Sequence, residues 1–152
     1  MRLTAYTDYT LRTLMYLAIR PEAPTTIAAI AATFGLSEAH LTKIVHHLAQ
    51  AGEVATTRGR GGGLRLGKPA TAINLGAVVR RTEPDMDLVA CFAAPNACAI
   101  DGACVLSTAL REALEAFLAV LDRYTLADLV APRQRLMALL RLDTPAMGKS
   151  GD

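Results

Sequence analysis

Apolar residues recur at three- and four-residue spacings in three successive segments near the start of the chain, which predicts three helices. The first spans about residues 4–20, and the second follows the threonine pair at 25–26 and ends at Gly35. The third begins after Ser37 and ends near Gly52, and its buried stripe is expected to be Leu41, Ile44, Val45 and Leu48. The short connection at residues 35–37 is typical of a helix-turn-helix.

Beyond the third helix, two short extended segments flank a glycine-rich turn. Residues 54–57 and 64–66 lie on either side of Arg58-Gly-Arg-Gly-Gly-Gly63, a pattern that predicts a β-hairpin. Directly behind a helix-turn-helix, such a hairpin is the wing of a winged helix. A further short helix is predicted over about residues 75–81.

A long helical pattern fills the last third of the chain. Its apolar residues are spaced alternately by four and three, which fits a helix packing along a partner helix, although a helix lying on its own domain fits the pattern equally well. These residues are Leu110, Leu114, Phe117, Leu121 and Tyr124. Residues 127–142, interrupted by Pro132, predict short helical pieces, and the end of the chain is expected to be frayed.

Charge divides the chain into a basic and an acidic half. Residues 1–81 hold ten Lys and Arg against four Asp and Glu, a balance of +6, whereas residues 82–152 hold six against ten, a balance of −4. This asymmetry indicates that the first half meets a polyanion, and chance segregation of solvated charges is the alternative. With no long apolar run and no signal peptide, we expect a cytoplasmic protein that does not enter a membrane.

The outer face of the third helix carries side chains suited to reading DNA. They include hydrogen-bond donors and a cation that can reach base edges or phosphates in the major groove, and a small residue that permits close approach. An ordinary solvated helix face is the alternative. The residues are Ala39, His40, Thr42, Lys43, His46 and His47.

The predicted wing adds four basic residues to this surface. Arg58 and Arg60 lie at the hairpin tip, where an arginine can enter a minor groove, and Arg65 and Lys68 are placed to contact phosphate. A glycine-rich run can also bind a nucleotide phosphate, but no Gly-Lys-Ser/Thr sequence follows here and no helix opens on it. The combination therefore favours DNA binding.

The three cysteines, Cys91, Cys98 and Cys104, lie together in one loop rich in small residues. Three thiolates on one loop can converge on a soft metal centre, and cysteine is the usual protein ligand of iron-sulfur clusters. The spacing matches neither ferredoxin runs nor the paired motifs of zinc ribbons. An iron-sulfur cluster, a zinc ion, redox-active thiols and unligated structural thiols all stay open on the residues alone.

A cluster of four irons held by three thiolates needs a fourth ligand. Ser107 is the nearby oxygen donor, and no histidine lies in the acidic half. An external molecule is another option. Asp8 is a further candidate because a carboxylate binds iron, although pairing with Arg12 one turn on would give it a purely structural role as a surface ion pair.

Three motifs in order resemble a known family. The opening MRLTAYTDYTLRTLMYLA, the stretch from Ser37 through the glycine-rich wing, and the three late cysteines are similar to those of the iron-sulfur winged-helix transcription regulators. The likeness covers about residues 1–124. Ser107 stands where the branch that regulates cluster biogenesis has a histidine ligand, so the chain looks more like the nitric-oxide-sensitive repressors.

The resemblance implies a homodimeric repressor of promoter DNA whose affinity changes when nitric oxide attacks a 4Fe-4S cluster; a 2Fe-2S cluster is the alternative. It implies Cys91, Cys98 and Cys104 as ligands, with Asp8 of the other subunit as the fourth. The family's DNA contacts correspond here to Ala39, Thr42, Lys43 and Arg58. Arg60 stands where the family commonly has proline, which adds a basic group at the wing tip.

The expected architecture is mainly α-helical, with a winged helix-turn-helix DNA-binding domain and a long C-terminal dimerisation helix. Its expected divisions are residues 1–82 for DNA binding, 83–145 for the cluster loop and dimerisation helix, and 146–152 for a flexible tail. Sensing of oxygen, iron or cluster supply on the same fold is one alternative function, and a zinc-stabilised constitutive DNA-binding protein is another. We do not expect an enzyme, because no catalytic arrangement of Ser, His, Asp or Cys is evident.

Overall fold

The computed structural model describes residues 2–94, 98–100 and 102–142 of the chain. Within these residues it contains helices and one two-stranded sheet. In chain order they are α1 (Ala5–Ile19), α2 (Ile27–Phe34), α3 (Glu38–Gln50), β1 (Val54–Thr57), β2 (Gly63–Leu66), a 3-10 turn (Ala70–Ala72), α4 (Leu75–Thr82), α5 (Ala90–Ala93), α6 (Val105–Asp122), α7 (Leu126–Leu129) and α8 (Arg133–Leu139). The predicted tail at residues 146–152 lies outside the described residues.

Helices α2 and α3 form the predicted helix-turn-helix. The Thr26 side chain caps α2 by accepting a hydrogen bond from the Ala29 backbone N–H at 3.1 Å. Gly35 ends α2 with a φ of 65°, a left-handed conformation that glycine adopts without steric cost, and α3 starts three residues later. Ser37 occupies the N-cap position of α3, although its side chain makes no capping hydrogen bond.

Strands β1 and β2 form an antiparallel wing, as predicted, with Val54 opposite Leu66 and Thr57 opposite Gly63. The wing is attached to the loop before α2 by two backbone hydrogen bonds. Thr25 N–H donates to Leu64 C=O at 3.1 Å, and Leu64 N–H donates to Thr25 C=O at 2.8 Å. The position of the wing relative to the helix-turn-helix is therefore fixed by backbone pairing.

The core lies between α1, α2, α3 and α4. Leu14, Ile30, Leu41 and Ile44 are among the most completely buried side chains, at 0–1% exposure. The stripe of α3 predicted to face inward is buried throughout, which confirms that its opposite face points outward. Because the core also includes Leu126, the chain after the long helix returns to pack against the first half of the chain.

Helix α6 runs for 18 residues, and none of its side chains is buried. Leu110, Leu114 and Phe117, three residues of the predicted apolar seam, line a cleft with residues 83–88 of the same chain. Tyr124 lies beyond the end of the helix. The helical spacing of the seam residues within α6 is confirmed. The pattern alone could not decide whether they face a partner helix or their own domain. A different stripe of α6 is exposed, formed by Val105, Ala109, Ala113, Ala116 and Val120.

The end of α6 is attached to the start of α4. The Asn74 side chain caps α4 by accepting from Ala77 N–H, and its amide nitrogen donates to the Asp122 C=O at 2.7 Å. Leu75 N–H donates to Tyr124 C=O at 2.9 Å. No helix in the described part of the chain is both long and apolar enough to cross a membrane.

Candidate nucleic-acid interface and cysteine segment

The outer face of α3 presents the side chains expected to read DNA. Ala39, His40, Thr42, Lys43 and His46 are all exposed. The Thr42 hydroxyl donates to the Glu38 C=O at 2.8 Å, which leaves its oxygen lone pairs for an outside donor. In the part of the chain that the structure describes, His40 and Lys43 make no hydrogen bond or ion pair, so both are available for a ligand.

The wing tip carries two further available cations. Arg58 and Arg60 are exposed, and neither forms a hydrogen bond or ion pair with any of the described residues. Arg65, expected to contact phosphate, is half-buried and donates to the C=O of Pro21 at 3.3 Å and of Glu22 at 3.0 Å. The structure therefore assigns Arg65 a role in fixing the wing, in addition to any phosphate contact.

His47 is turned from the reading face toward α1. Its Nδ1 shares a hydrogen bond with the Tyr6 hydroxyl, and the two rings meet edge to face with centroids 5.9 Å apart. Burial raises the pKa of the Tyr6 phenol above its ordinary value, against an opposing effect of the Arg81 charge, so the phenol is protonated at neutral pH. Tyr6 and His47 line a cleft of about 540 Å³ and join α1 to α3.

A buried carboxylate lies where α3 gives way to the wing. Glu53 is only 3% exposed, and its Oε2 accepts a hydrogen bond from Arg81 of α4 at 2.5 Å. A buried charge without a partner is strongly unfavourable, so the pair is expected to stay formed and to hold α4 against the start of the wing. Neither partner was identified as important from the sequence.

The neighbouring arginine of α4 binds α6 instead. Arg80 donates to both carboxylate oxygens of Asp122, at 2.5 and 2.7 Å. The hydrogen bond from Arg80 is the largest cause lowering the pKa of Asp122 below its ordinary value. A Cβ at Gly76 would lie 2.0 Å from Asp122 Oδ1, so a larger residue there would require the Asp122 carboxylate to shift. Successive residues of α4 thus contact the start of the wing and the long helix.

The cysteine segment starts in α5 and ends at the first turn of α6. Cys91 in α5 and Cys104, the N-cap residue of α6, are half-buried, whereas Cys98 is exposed. None forms a disulfide. Residues 95–97 and 101 of the predicted loop lie outside the described residues. Across the described ranges, no three Cys, His, Asp or Glu side chains are arranged to hold a single metal ion.

The three thiols nevertheless fit an iron-sulfur cluster by donor type and accessibility. A cluster binds its ligands through separate irons, so its thiolates need not converge as closely as the ligands of one ion. Cys104 is the N-cap residue of α6 and makes no capping hydrogen bond, and the first-turn N–H groups place partial positive charge at this end of the helix. That position favours an anionic ligand such as a thiolate-bound cluster.

Asp8 lies in the first turn of α1 and is bound by Arg12. Arg12 donates to both carboxylate oxygens, at 3.0 Å from Nε and 2.8 Å from its terminal nitrogen. Both side chains are more than two-fifths exposed. The predicted i, i+4 ion pair is therefore present, and the carboxylate remains open to solvent on the side away from Arg12.

The contacts that sequence reasoning missed are long-range pairs. Tyr6 with His47, Glu53 with Arg81, and Arg80 with Asp122 each join elements far apart in the chain. The only local signal was Glu53, a charged residue between a helix-ending glycine and the buried Val54 of β1. Its burial could have been suspected from that position, whereas its partner could not.

Comparison with known proteins gives consistent similarities over most of the chain. A family model described as Rrf2, iron-dependent transcriptional regulator, matches residues 3–132. The HTH-type transcriptional regulator NsrR of Bacillus subtilis (strain 168) is 51% identical over 144 residues, covering 93% of this chain and 99% of that protein. NsrR of Geobacillus kaustophilus (strain HTA426) is 53% identical over 143 residues, covering 93% and 97%.

The fold similarity extends to solved structures. CymR, the global cysteine regulator of B. subtilis, superposes with a TM-score of 0.71 at 30% identity, covering 86% of this chain and 97% of that one. Its match confirms the mainly helical winged-helix architecture. The relatives by sequence are DNA-binding transcription regulators rather than enzymes.

Proposed function

Because the chain belongs to the Rrf2 family of iron-dependent transcriptional regulators, we propose that it is a homodimeric repressor that releases promoter DNA when nitric oxide reacts with a cysteine-bound 4Fe-4S cluster. The single observation that carries this proposal is the combination of an exposed outer face on α3 with three unbridged thiols in the segment that precedes α6. One half of the chain offers a DNA-reading surface, and the other offers a soft-metal site.

The DNA-reading surface is supported by exposed, unpaired cations on two elements. Lys43 on α3, with Arg58 and Arg60 on the wing, extends the basic surface from a major groove toward the neighbouring minor groove. Ala39, His40, Thr42 and His46 supply the close contacts to base edges. We propose these residues as the interface, with Arg65 holding the wing in place while its remaining guanidinium nitrogens face phosphate.

Dimerisation is supported by the exposed stripe of α6. Val105 is 81% exposed and Val120 is 43% exposed, and three alanines lie between them on the same face. Small side chains let two helices approach closely, and an apolar stripe of this length is unfavourable in water. A symmetric pair of such chains would present two α3 helices to successive major grooves of a palindromic site.

We propose Cys91, Cys98 and Cys104 as cluster ligands, with Asp8 of the other subunit as the fourth. When bound, the cluster supplies iron atoms that react with nitric oxide, and this reaction is the sensing chemistry. Asp8 has two alternative partners, since the same carboxylate that would bind iron is held by Arg12 in this structure. An Asp8 carboxylate no longer bound to iron would bind Arg12 instead. Helix α1 would then no longer be linked to the cysteine segment of the other subunit.

The proposal is tested with protein purified without oxygen. We expect iron and sulfide in the protein and DNA binding that weakens about 5- to 150-fold after nitric oxide, the usual range of an allosteric coupling of about 1 to 3 kcal/mol. Iron content, the absorption spectrum and promoter-binding titrations at fixed salt measure these outcomes. Parallel titrations with oxygen and with reductant serve as controls. A stronger response to either than to nitric oxide, or colourless protein that contains zinc, would contradict nitric-oxide sensing.

Asp8→Ala is expected to change the absorption spectrum of the cluster and to reduce the response of DNA binding to nitric oxide. The fold is expected to persist, because the Asp8–Arg12 pair is exposed and such pairs contribute little to stability. Arg12→Gln is the matched control, since it breaks the same ion pair but leaves the carboxylate in place. If Asp8→Ala and wild type give the same spectrum and the same response, Asp8 is not a ligand.

A further inference from the structure

Helix α5, which carries Cys91, is linked to α6 by one aromatic contact. The Arg111 guanidinium lies over the Phe92 ring, 4.2 Å from its centroid. Across residues 2–94, 98–100 and 102–142, this is the only hydrogen bond, ion pair or ring contact that joins α5 to another element. Four residues are too few for a helix to be stable alone, so this contact contributes to holding α5 against α6.

The contact joins the two helices next to which two of the three cysteines lie, Cys91 in α5 and Cys104 at the N-cap of α6. Phe92 follows Cys91 directly, and Arg111 lies on the same helix as Cys104, seven residues further on and so about two turns along α6. Holding the ring of Phe92 against the second turn of α6 therefore limits how far the adjacent Cys91 can move from that helix. It also leaves a permanent positive charge next to the segment that binds an anionic centre.

We infer that Arg111 is a positioning residue for the iron-sulfur centre, acting through Phe92 to hold Cys91 in place for cluster binding. The inference rests on the proposed function, which supplies the cluster but assigns Arg111 no role. Arginine suits this task because its planar guanidinium stacks on an aromatic face and keeps its charge at any physiological pH. Nothing about Arg111 in the sequence distinguished it from a solvated residue of a helix.

The contact itself is testable in protein without metal. The chain has no tryptophan, so Phe92→Trp introduces a single fluorescent reporter at the stacking position. In this background we expect Arg111→Gln to increase quenching by acrylamide, a neutral quencher that does not respond to the lost charge. Arg123→Gln is the matched control, because Arg123 is an exposed arginine at the C-cap of the same helix and its replacement changes the net charge equally.

The positioning role is testable with iron-loaded protein that retains Phe92. We expect Arg111→Gln to accelerate loss of iron to a chelator about two- to fivefold, the fold-change that corresponds to one cation–π contact. Arg111→Lys keeps a cation able to lie over the ring and is expected to remain within about twofold of wild type. Arg123→Gln is expected to match wild type, which separates a specific contact from a general effect of charge.

The two measurements distinguish failure of this inference from failure of the proposed function. Unchanged quenching in the Arg111→Gln protein means that the contact does not exist, and it overturns the inference. Increased quenching with wild-type iron loss also overturns it, because α5 then moves without consequence for the cluster. Wild-type protein that binds no iron overturns the proposed function and, with it, the positioning role.

Discussion

Leu41→Ala is expected to lower the free energy of unfolding by about 2 to 5 kcal/mol, the range for removing a buried leucine side chain from a packed core. Leu41 is 0% exposed and lies on the inner face of α3, within the cluster that includes Leu14 and Ile44. The truncation leaves a cavity that rigid neighbouring helices cannot fill completely. Urea unfolding followed by circular dichroism measures the change, with the slope of the transition compared to establish two-state behaviour.

Lys43→Ala on the outer face of the same helix is the control for Leu41→Ala. It is expected to change the free energy of unfolding by less than about 0.5 kcal/mol, as most surface substitutions do. Its expected effect is on DNA binding, whose affinity should fall. The slope of log affinity against log salt concentration should decrease in magnitude by about one unit if Lys43 contacts phosphate. Equal stability losses from both variants would contradict the assignment of an inner and an outer face to α3.

The helical pattern of the first half was predictable because local signals and burial agree there. Residues 41, 44, 45 and 48 repeat at helical spacing, and Gly35 supplies the conformation that ends α2, so each level of the sequence favours the same structure. The wing was predictable for the same reason, since a glycine-rich turn separates two short extended segments. The family similarity confirms the regulator class that these motifs indicated.

The orientation of α6 was not predictable, because the helix has two apolar faces. One face, with Leu110 and Phe117, lines a cleft with residues 83–88 of the same chain, and the other runs from Val105 to Val120. Periodicity identifies both faces as helical but does not say which one meets a partner. The polar contacts of α4 could not be predicted from the sequence either, since Glu53 and Arg81 are 28 residues apart and no local rule pairs them.

Helix α4 connects the C-terminal end of α6, the helix that follows the cysteine segment, with the elements next to α3. Arg80 binds the end of α6, and Arg81 binds the turn between α3 and the wing. The two following residues bind α1, since the Thr7 hydroxyl donates to Thr82 at 2.9 Å and Thr4 N–H donates to Glu83 at 2.8 Å. A shift of α6 relative to α1 would therefore strain the hydrogen bonds of α4, which also help to position α3. The proposed coupling between the cluster and DNA binding requires such a connection.

Cys104→Ala is expected to reduce the iron retained per chain by about tenfold or more, because even changes outside the ligand sphere commonly lower metal affinity 10- to 100-fold. The helix should persist, since Cys104 occupies the N-cap of α6 without a capping hydrogen bond and alanine removes no such bond. Iron and sulfide analysis after anaerobic reconstitution measures the loss, and circular dichroism verifies the fold.

Ser107→Ala is the control that tests the alternative oxygen ligand. Ser107 lies about one turn further along α6 and is half-buried, like Cys104, so the two variants remove a polar atom from the same end of one helix. If thiolates and Asp8 hold the cluster, Ser107→Ala retains wild-type iron while Cys104→Ala does not. Wild-type iron in Cys104→Ala would remove this cysteine from the ligand set, and loss of iron in Ser107→Ala would move the fourth ligand from Asp8 to the serine.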